Sequence, residues 1–540
     1  MPRVPSVTAG EIWFALAFTV SAVGLPLLYL DQPLHFDEGI FLTVGRQLST
    51  GAQLYADIGD HKPPGVFVVA ATVYRSPGHP VTVARGLTYA VTAVSGLLVV
   101  QLGRQFCTRR RSYAAGVLFV VMTYLPHFDG YYFMTEPYAV LTILGAAVLL
   151  GVDTPIANVA AGVALAVGVL FNQTVFLFGA TILLFRTVKL RYPEHRTREY
   201  ALASVFRVLA IGIGFLATVA AVFAVLDARG LLAETLYYSL VVPLTNYSTP
   251  FDLWGHLLAL GSLLPVWLLA GWMVVLTLVA TARGDEVDDR LLFVALWASV
   301  LSVPGAKAFS GDHKFLFAFP AIALLTVTGA AKLYAQTLRN RDQFRRVPGT
   351  LPDRTALITG ILALAVVSAT LVAGSGNVYM GSKVLEEDIG DDRAELNHAV
   401  EGLDGPIYGY NVLAGLYVHT DTEPGTTYLG TIYSDRIAHS KIADLERGEV
   451  PYVLVRDRFV SNGNIVASGY WADHKATMTA YLNEHYEPIR HRDGYVVFER
   501  AETARGRNDD SPPKPAAAKQ PARTVACSGA ERRHGALRRG

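Results

Sequence analysis

Charge is what this sequence has least of. Of 540 residues only 17% are charged, against about 25% in an ordinary soluble domain. The deficit excludes a conventional water-soluble enzyme for most of the chain. Cysteine is almost absent: Cys107 lies beside a basic loop and Cys527 in a polar tail, which argues against a disulfide framework or a cysteine metal centre. No internal repeat is visible, so nothing suggests the inverted halves of many transporters. No small-residue cleavage pattern follows the first apolar run, so Ile12–Leu30 is read as a retained anchor rather than a signal peptide. The formal net charge of +1 excludes neither acidic nor basic partners, and how the basic residues are distributed matters more. No nucleic-acid partner is expected.

What is present is apolar sequence: 52% hydrophobic residues and a mean hydropathy of +0.33. The rule of roughly 20 apolar residues per crossing gives about eleven spans. They fall near 12–30, 83–103, 112–126, 136–152, 156–171, 173–188, 208–226, 256–280, 291–305, 315–332 and 355–375. The run 65–75 is too short to cross and is expected as a helix lying in the membrane surface. Three basic clusters (Arg104 with Arg109–Arg111, Arg186 to Arg207, and Lys332 to Arg354) fall on one side if the N-terminus is cytoplasmic. The first loop, 31–82, then faces outward, with 127–136, 227–252, 306–314 and everything after 375.

From 376 to 500 charges return and apolar runs shorten. Pro406–Tyr410 and Pro451–Arg456 read as buried strands, Asp473–Tyr486 as a helix, and Asp493-Gly494 before Tyr495–Phe498 as a hairpin turn and strand. This predicts a small outward α/β domain. The tail 501–540, rich in Pro, Ala and Arg, is expected to be disordered. The expected fold is thus a polytopic α-helical membrane protein, residues 1–375, with a C-terminal α/β domain.

The chemistry gathers in the outward loops. His35-Phe36-Asp37-Glu38 precedes a helical pattern, which puts two carboxylates at a helix N-terminus, where the dipole stabilises an anion that can act as a base. A solvated acidic loop is the plainer alternative. In Asp60-His61-Lys62-Pro63-Pro64-Gly65 the prolines stiffen the backbone and bias Lys62 away from helix. A compact ammonium there suits a phosphate head group; a snorkelling lysine is the alternative. His127, Asp129, Tyr131, Tyr132 and Glu136 lie between the third and fourth spans, and Glu136-Pro137 also reads as ordinary first-turn chemistry. Lys307, Asp312, His313 and Lys314 cluster before the tenth span, as a site or as interface anchors.

Asp37-Glu38, His61-Lys62-Pro63-Pro64-Gly65, Arg85 opening the second span, and Glu136-Pro137 together resemble the GT-C membrane glycosyltransferases, in particular the protein mannosyltransferase and aminoarabinose-transferase-like group (glycosyltransferase 39 type). The resemblance covers roughly 10–335 in order and topology. It implies a polyprenyl- or dolichyl-phosphate-linked sugar as donor, a hexose such as mannose, and a glycan, protein or lipid acceptor at the outer face of a cell membrane. It implies Asp37 as the base, assisted by Glu38, with Glu136 in the site. Lys62, Arg85, Lys307, His313 and Lys314 are implied at the donor phosphate, with His61 and Asp129 lining the pocket. Two positions depart from the pattern. Asn172 in Phe171-Asn172-Gln173-Thr174 stands where lysine is frequent, and His61 where an acid is common. The absence of a Trp-Trp-Asp-Tyr-Gly-like motif argues against transfer of whole glycans to asparagine.

The implied reaction is an inverting transfer in which Asp37 takes the acceptor proton and lysines neutralise the leaving phosphate. No cofactor is required, and a divalent metal at His61 and the acids is not excluded. The competing readings are a lipid or glycolipid transporter and a membrane scaffold. The first lacks polar groups at mid-span, and the second leaves the pairing of Asp-Glu with Lys-Pro-Pro unexplained. Tyr408, Tyr410 and Tyr417 read as core residues ahead of sugar-stacking ones.

Overall fold

A computed structural model describes residues 9–30, 32–125, 128–190, 192, 195, 197–246, 263–304, 312–344, 393–410, 415–432, 434–448, 450–467 and 472–501. The expected span at 355–375, the tail from 502, His127 and Lys307 lie outside them.

Four described helices are long and apolar enough to cross a membrane: Gly10–Leu27, Pro80–Gly103, Arg198–Ala228 and Leu264–Arg283. Thr135–Leu150, Pro155–Val169 and Phe319–Ala335 are apolar but shorter. Asp289–Leu301 has 13 residues, about 20 Å at 1.5 Å per residue, against roughly 30 Å of hydrocarbon. Among the described residues the segments expected as spans recur as helices, several of them shorter than a full crossing. Arg198–Ala228 shows why apolar runs alone misplace ends. Capped by the Thr197 hydroxyl, it begins ten residues before the expected span and runs for 31 residues. Its Phe206, Leu209, Ile213, Leu216 and Val225 are exposed, the mark of a helix facing lipid.

Small residues decide the closest helix crossing. Pro155–Val169 packs along Arg198–Ala228. A Cβ added at Gly162 would lie 2.0 Å from the Ile211 carbonyl oxygen, and one at Gly214 2.0 Å from that of Val159. The two backbones touch because neither glycine has a side chain. Gly214→Val is expected to destabilise the protein by about 1–3 kcal/mol or more, read as a lower melting temperature and less monodisperse material in detergent. A variant melting like the wild type would show that the crossing can open without loss.

The first loop carries two helices, Phe36–Thr50 and Gly65–Arg75. They pack on each other, with Gly45 against Ala70 so close that a Cβ at residue 45 would fall 2.4 Å from the Ala70 Cβ. The segment 65–75 is thus a helix as expected, but Val66, Phe67 and Ala70 are buried in protein.

The C-terminal α/β unit holds a four-stranded sheet. Ile407–Gly409 pairs in parallel with Tyr452–Arg456, which is antiparallel to Tyr495–Arg500, itself antiparallel to Tyr486–Arg492. Asp493 and Gly494, both at positive φ, make the expected turn. Helices Asp435–Arg447 and Ala472–His485 pack against each other. The first of these, and the strand Tyr486–Arg492, have no counterpart among the sequence expectations. Tyr408, Tyr410 and Tyr417 are buried, and the Tyr417 hydroxyl donates to the Ile407 carbonyl at 2.9 Å. They are core. The division drawn at 375 does not separate two cores: Phe41 and Phe67 of the first loop share one hydrophobic cluster with Leu396, Ile407, Leu416 and Tyr452. Arg46 adds hydrogen bonds to the carbonyls of Tyr417 and Thr420 at 2.9 and 3.0 Å.

Candidate active site

The first carboxylate is set by a capped helix start. His35 accepts from the Asp37 amide through Nδ1, while the Glu38 side chain accepts from the His35 amide, a reciprocal cap. Asp37 is left in the first turn with its carboxylate turned to Lys62, Oδ2 to Nζ 3.2 Å. Lys62 is placed by its own backbone. The Tyr55 hydroxyl donates to the Lys62 carbonyl at 2.6 Å. Three residues on, the Gly65 amide donates to the Leu170 carbonyl at 2.7 Å, at a point where a Cβ on residue 65 would meet that oxygen at 2.6 Å. Tyr55 is held at φ +65°, rare for a tyrosine. Asp37 is only 8% exposed. Burial opposes its charge, but the neighbouring Lys62 ammonium outweighs that cost and holds the carboxyl well below its ordinary range.

Glu38 and Arg85 take a different position from the expected one. Glu38 has no exposed surface and accepts from Arg85 Nε at 3.0 Å, Arg85 Nη2 at 2.7 Å and the Phe133 amide at 3.2 Å. The Arg85 guanidinium also donates to the carbonyls of Tyr29, Leu30, Gln32 and Pro33 at 2.8–3.1 Å. These carbonyls lie where the first span ends and its helical hydrogen bonds run out, that of Tyr29 also accepting from the Gln32 amide at 3.3 Å. The pair therefore fastens the end of that span to the helix carrying Asp37. The sequence resemblance implied Glu38 as a catalytic assistant and Arg85 as a phosphate contact; in this structure both are engaged with each other and with backbone groups.

The second carboxylate, Glu136, lies in the first turn of Thr135–Leu150. Its Oε1 accepts from Lys314 Nζ and Asn172 Nδ2, both at 3.0 Å, and lies 3.7 Å from His313 Nε2; its Oε2 accepts from the Thr135 hydroxyl at 3.0 Å. Asn172 also donates to Thr135 Oγ1 at 3.0 Å. Asparagine at 172 thus stays in the site and orients Glu136, while Lys314 supplies the positive charge. Burial and the neighbouring Lys314 ammonium push His313 down to about 4, against the pull of Glu136 and Asp129, so it is neutral at physiological pH. The Lys62 ammonium acts on Glu136 as well as on Asp37, so the two carboxylate clusters are electrostatic neighbours.

Asp129 is buried at the rim, at φ +54°, with its field reaching His313 and Tyr132. His61 pairs with Asp60, Nδ1 to Oδ1 2.9 Å. Among the described residues, no group of three or more His, Cys, Asp or Glu is arranged to hold a metal ion. Sequence reasoning missed Tyr55, Thr135 and Asn172 as site residues. Asn172 alone carried a signal, its position in the Phe-Asn-Gln-Thr element.

No family model and no curated protein matches the sequence. Solved structures do match. ArnT from Cupriavidus metallidurans bound to undecaprenyl phosphate superposes with a TM-score of 0.56 at 14% identity, over 91% of this chain and 98% of that one. The chain thus shares the fold of ArnT, as the resemblance in sequence implied. The Archaeoglobus fulgidus oligosaccharyltransferase tethered to an acceptor peptide shares it, with a TM-score of 0.52 at 11% identity, over 92% of this chain and 74% of that one. At 91% of this chain, the match with ArnT extends beyond the helical part.

Proposed function

We propose that this protein transfers one sugar, a hexose such as mannose, from a polyprenyl- or dolichyl-phosphate donor to a glycan, protein or lipid hydroxyl at the outer face of the membrane, with inversion. The observation that carries the reading is the buried Asp37–Lys62 pair, 3.2 Å apart, beside a second carboxylate already contacted by Lys314. Alone, Asp37 is a poor base, because Lys62 stabilises its ionised form. A donor phosphate draws the Lys62 ammonium toward itself, and the carboxylate regains basicity only when donor is bound. Asp37 then takes the acceptor hydroxyl proton. The acceptor oxygen forms its bond to the anomeric carbon from the face opposite the phosphate. The bond from carbon to the phosphate oxygen breaks, its electron pair leaving on a phosphate neutralised by Lys62 and Lys314. Glu136, held by Lys314, Asn172 and Thr135, orients Lys314 toward the leaving group. The scheme requires no cofactor.

The test uses the full chain in lipid nanodiscs with a panel of radiolabelled polyprenyl-phosphate sugars, following polyprenyl phosphate release and transfer to a membrane extract. One donor is expected to turn over, and Lys62→Ala and Lys314→Ala are each expected to raise its KM by about 10- to 100-fold, the worth of a charge-assisted contact of about 1.5–3 kcal/mol. Turnover of no donor, or unchanged KM in both variants, defeats the reading.

A further inference from the structure

The segment that presents Lys62 is held by the C-terminal unit. Gly59 donates to the Thr427 carbonyl at 2.8 Å and accepts from the Leu429 amide at 2.9 Å, so a strand-like bridge joins the loop to residues 427–429. Next along the loop, Asp60 is fully buried. Its Oδ1 meets His61 Nδ1 at 2.9 Å, and the Tyr428 hydroxyl lies 3.5 Å from the same nitrogen. Gly430 makes room for the carboxylate: a Cβ there would fall 2.0 Å from Asp60 Oδ1.

Lys441 reaches this pocket from helix Asp435–Arg447 and is only 2% exposed. Its ammonium stands over the rings of Tyr408 and Tyr428, at 5.3 and 5.5 Å from their centroids, within the fields of Asp60 and Asp444. Burial pushes it down to about 7 against the pull of those two carboxylates. A parallel connection runs through aromatic rings. Tyr428 stacks on Tyr238 (5.5 Å, 16°), and Tyr238 on Tyr55 (5.9 Å, 12°), whose hydroxyl holds the Lys62 carbonyl.

A buried lysine is an unfavourable way to fill a core, since an apolar side chain of similar volume packs there at least as well. What the ammonium adds is a hold on the Tyr408 and Tyr428 rings beneath it, next to the buried Asp60. The backbone bridge to Gly59 and the Tyr428 hydroxyl at His61 reach the segment 59–62 directly, and the ring stack reaches it through Tyr238 and Tyr55. We propose that Lys441 is a positioning residue which, through Tyr428 and the His61–Asp60 pair that Tyr428 meets, fixes the Lys62 ammonium in register with Asp37, so that the C-terminal unit sets the geometry of the donor-phosphate contact. The proposal rests on reading Lys62 as that contact.

The experiment compares the full-length wild type with Lys441→Met, Lys441→Arg and Asp60→Asn in nanodiscs. It reads melting temperature, hydrogen–deuterium exchange of residues 56–64, and KM and kcat for the donor that the wild type uses. Lys441→Met is expected to fold, to exchange faster in 56–64, and to raise the donor KM by about 10- to 100-fold with a smaller change in kcat, since a displacement of an ångström or so at a contact has effects of that size. Lys441→Arg is expected to recover part of the loss. A merely structural lysine would change the melting temperature while leaving KM and local exchange alone, and that result overturns the proposal. So does faster exchange with an unchanged KM. If Lys441→Met does not fold, Asp60→Asn decides by the same readings. If the wild type turns over no donor, the functional reading has failed separately, and exchange alone then decides whether Lys441 holds the loop.

Discussion

Asp37→Asn is expected to lower kcat by about 10²–10⁴-fold, the range for removing a general base, while leaving the donor KM unchanged or lower. The two halves have different causes. Asparagine cannot take the acceptor proton, so the chemical step loses its base. It also releases Lys62 from the buried pair that the wild type holds at 3.2 Å, and a donor phosphate no longer competes with a carboxylate for the ammonium. Lys62→Ala acts in the opposite sense, chiefly on KM, as set out above. Initial rates over a donor concentration series separate kcat from KM. An Asp37→Asn enzyme with wild-type kcat rules Asp37 out as the base, and one with a greatly raised KM assigns it to binding instead.

Arg85→Met and Glu38→Gln are expected to cost folded protein rather than activity per folded molecule. Each leaves a buried partner charge uncompensated, a loss of about 3–5 kcal/mol. Arg85→Met in addition removes the Arg85 donor from the carbonyls of Leu30, Gln32 and Pro33 at the end of the first span. The double variant is expected to lose less than the sum of the two, because neither leftover charge remains. Melting temperature and the monodisperse fraction in detergent report this, with transfer rate normalised to folded protein. A Glu38→Gln protein that melts like the wild type and transfers no sugar returns Glu38 to the catalytic role that the sequence suggested.

Asp37 and Glu38 show how far residue order goes. The sequence placed both at a helix N-terminus, correctly, because the cap residue and the apolar pattern that follows are local. It gave them related roles because they are adjacent. On a helix, neighbours in sequence point about 100° apart, so one faces Lys62 and the other faces Arg85, residues from two different segments. The same limit hid Asn172. Read as a departure from a family element, it raised doubt about a charge; in the fold it bonds Glu136, and Lys314, some 140 residues later in the sequence, brings the charge.

Composition, apolar runs and the stiff Lys-Pro-Pro-Gly element determined by themselves that this chain is a helical membrane protein with acids and lysines concentrated in particular loops. Those are properties of short segments: burial of apolar length in lipid, capping, and the fixed φ of proline. The tertiary structure alone decided which acid meets which base, how far each helix extends, and that the C-terminal unit shares a core with the first loop. An ion pair between Lys314 and Glu136, or the Tyr428 hydroxyl against His61, joins residues far apart along the chain, and no local pattern records it. Such contacts follow from the backbone path, which the glycine crossings and buried cores of the whole molecule fix.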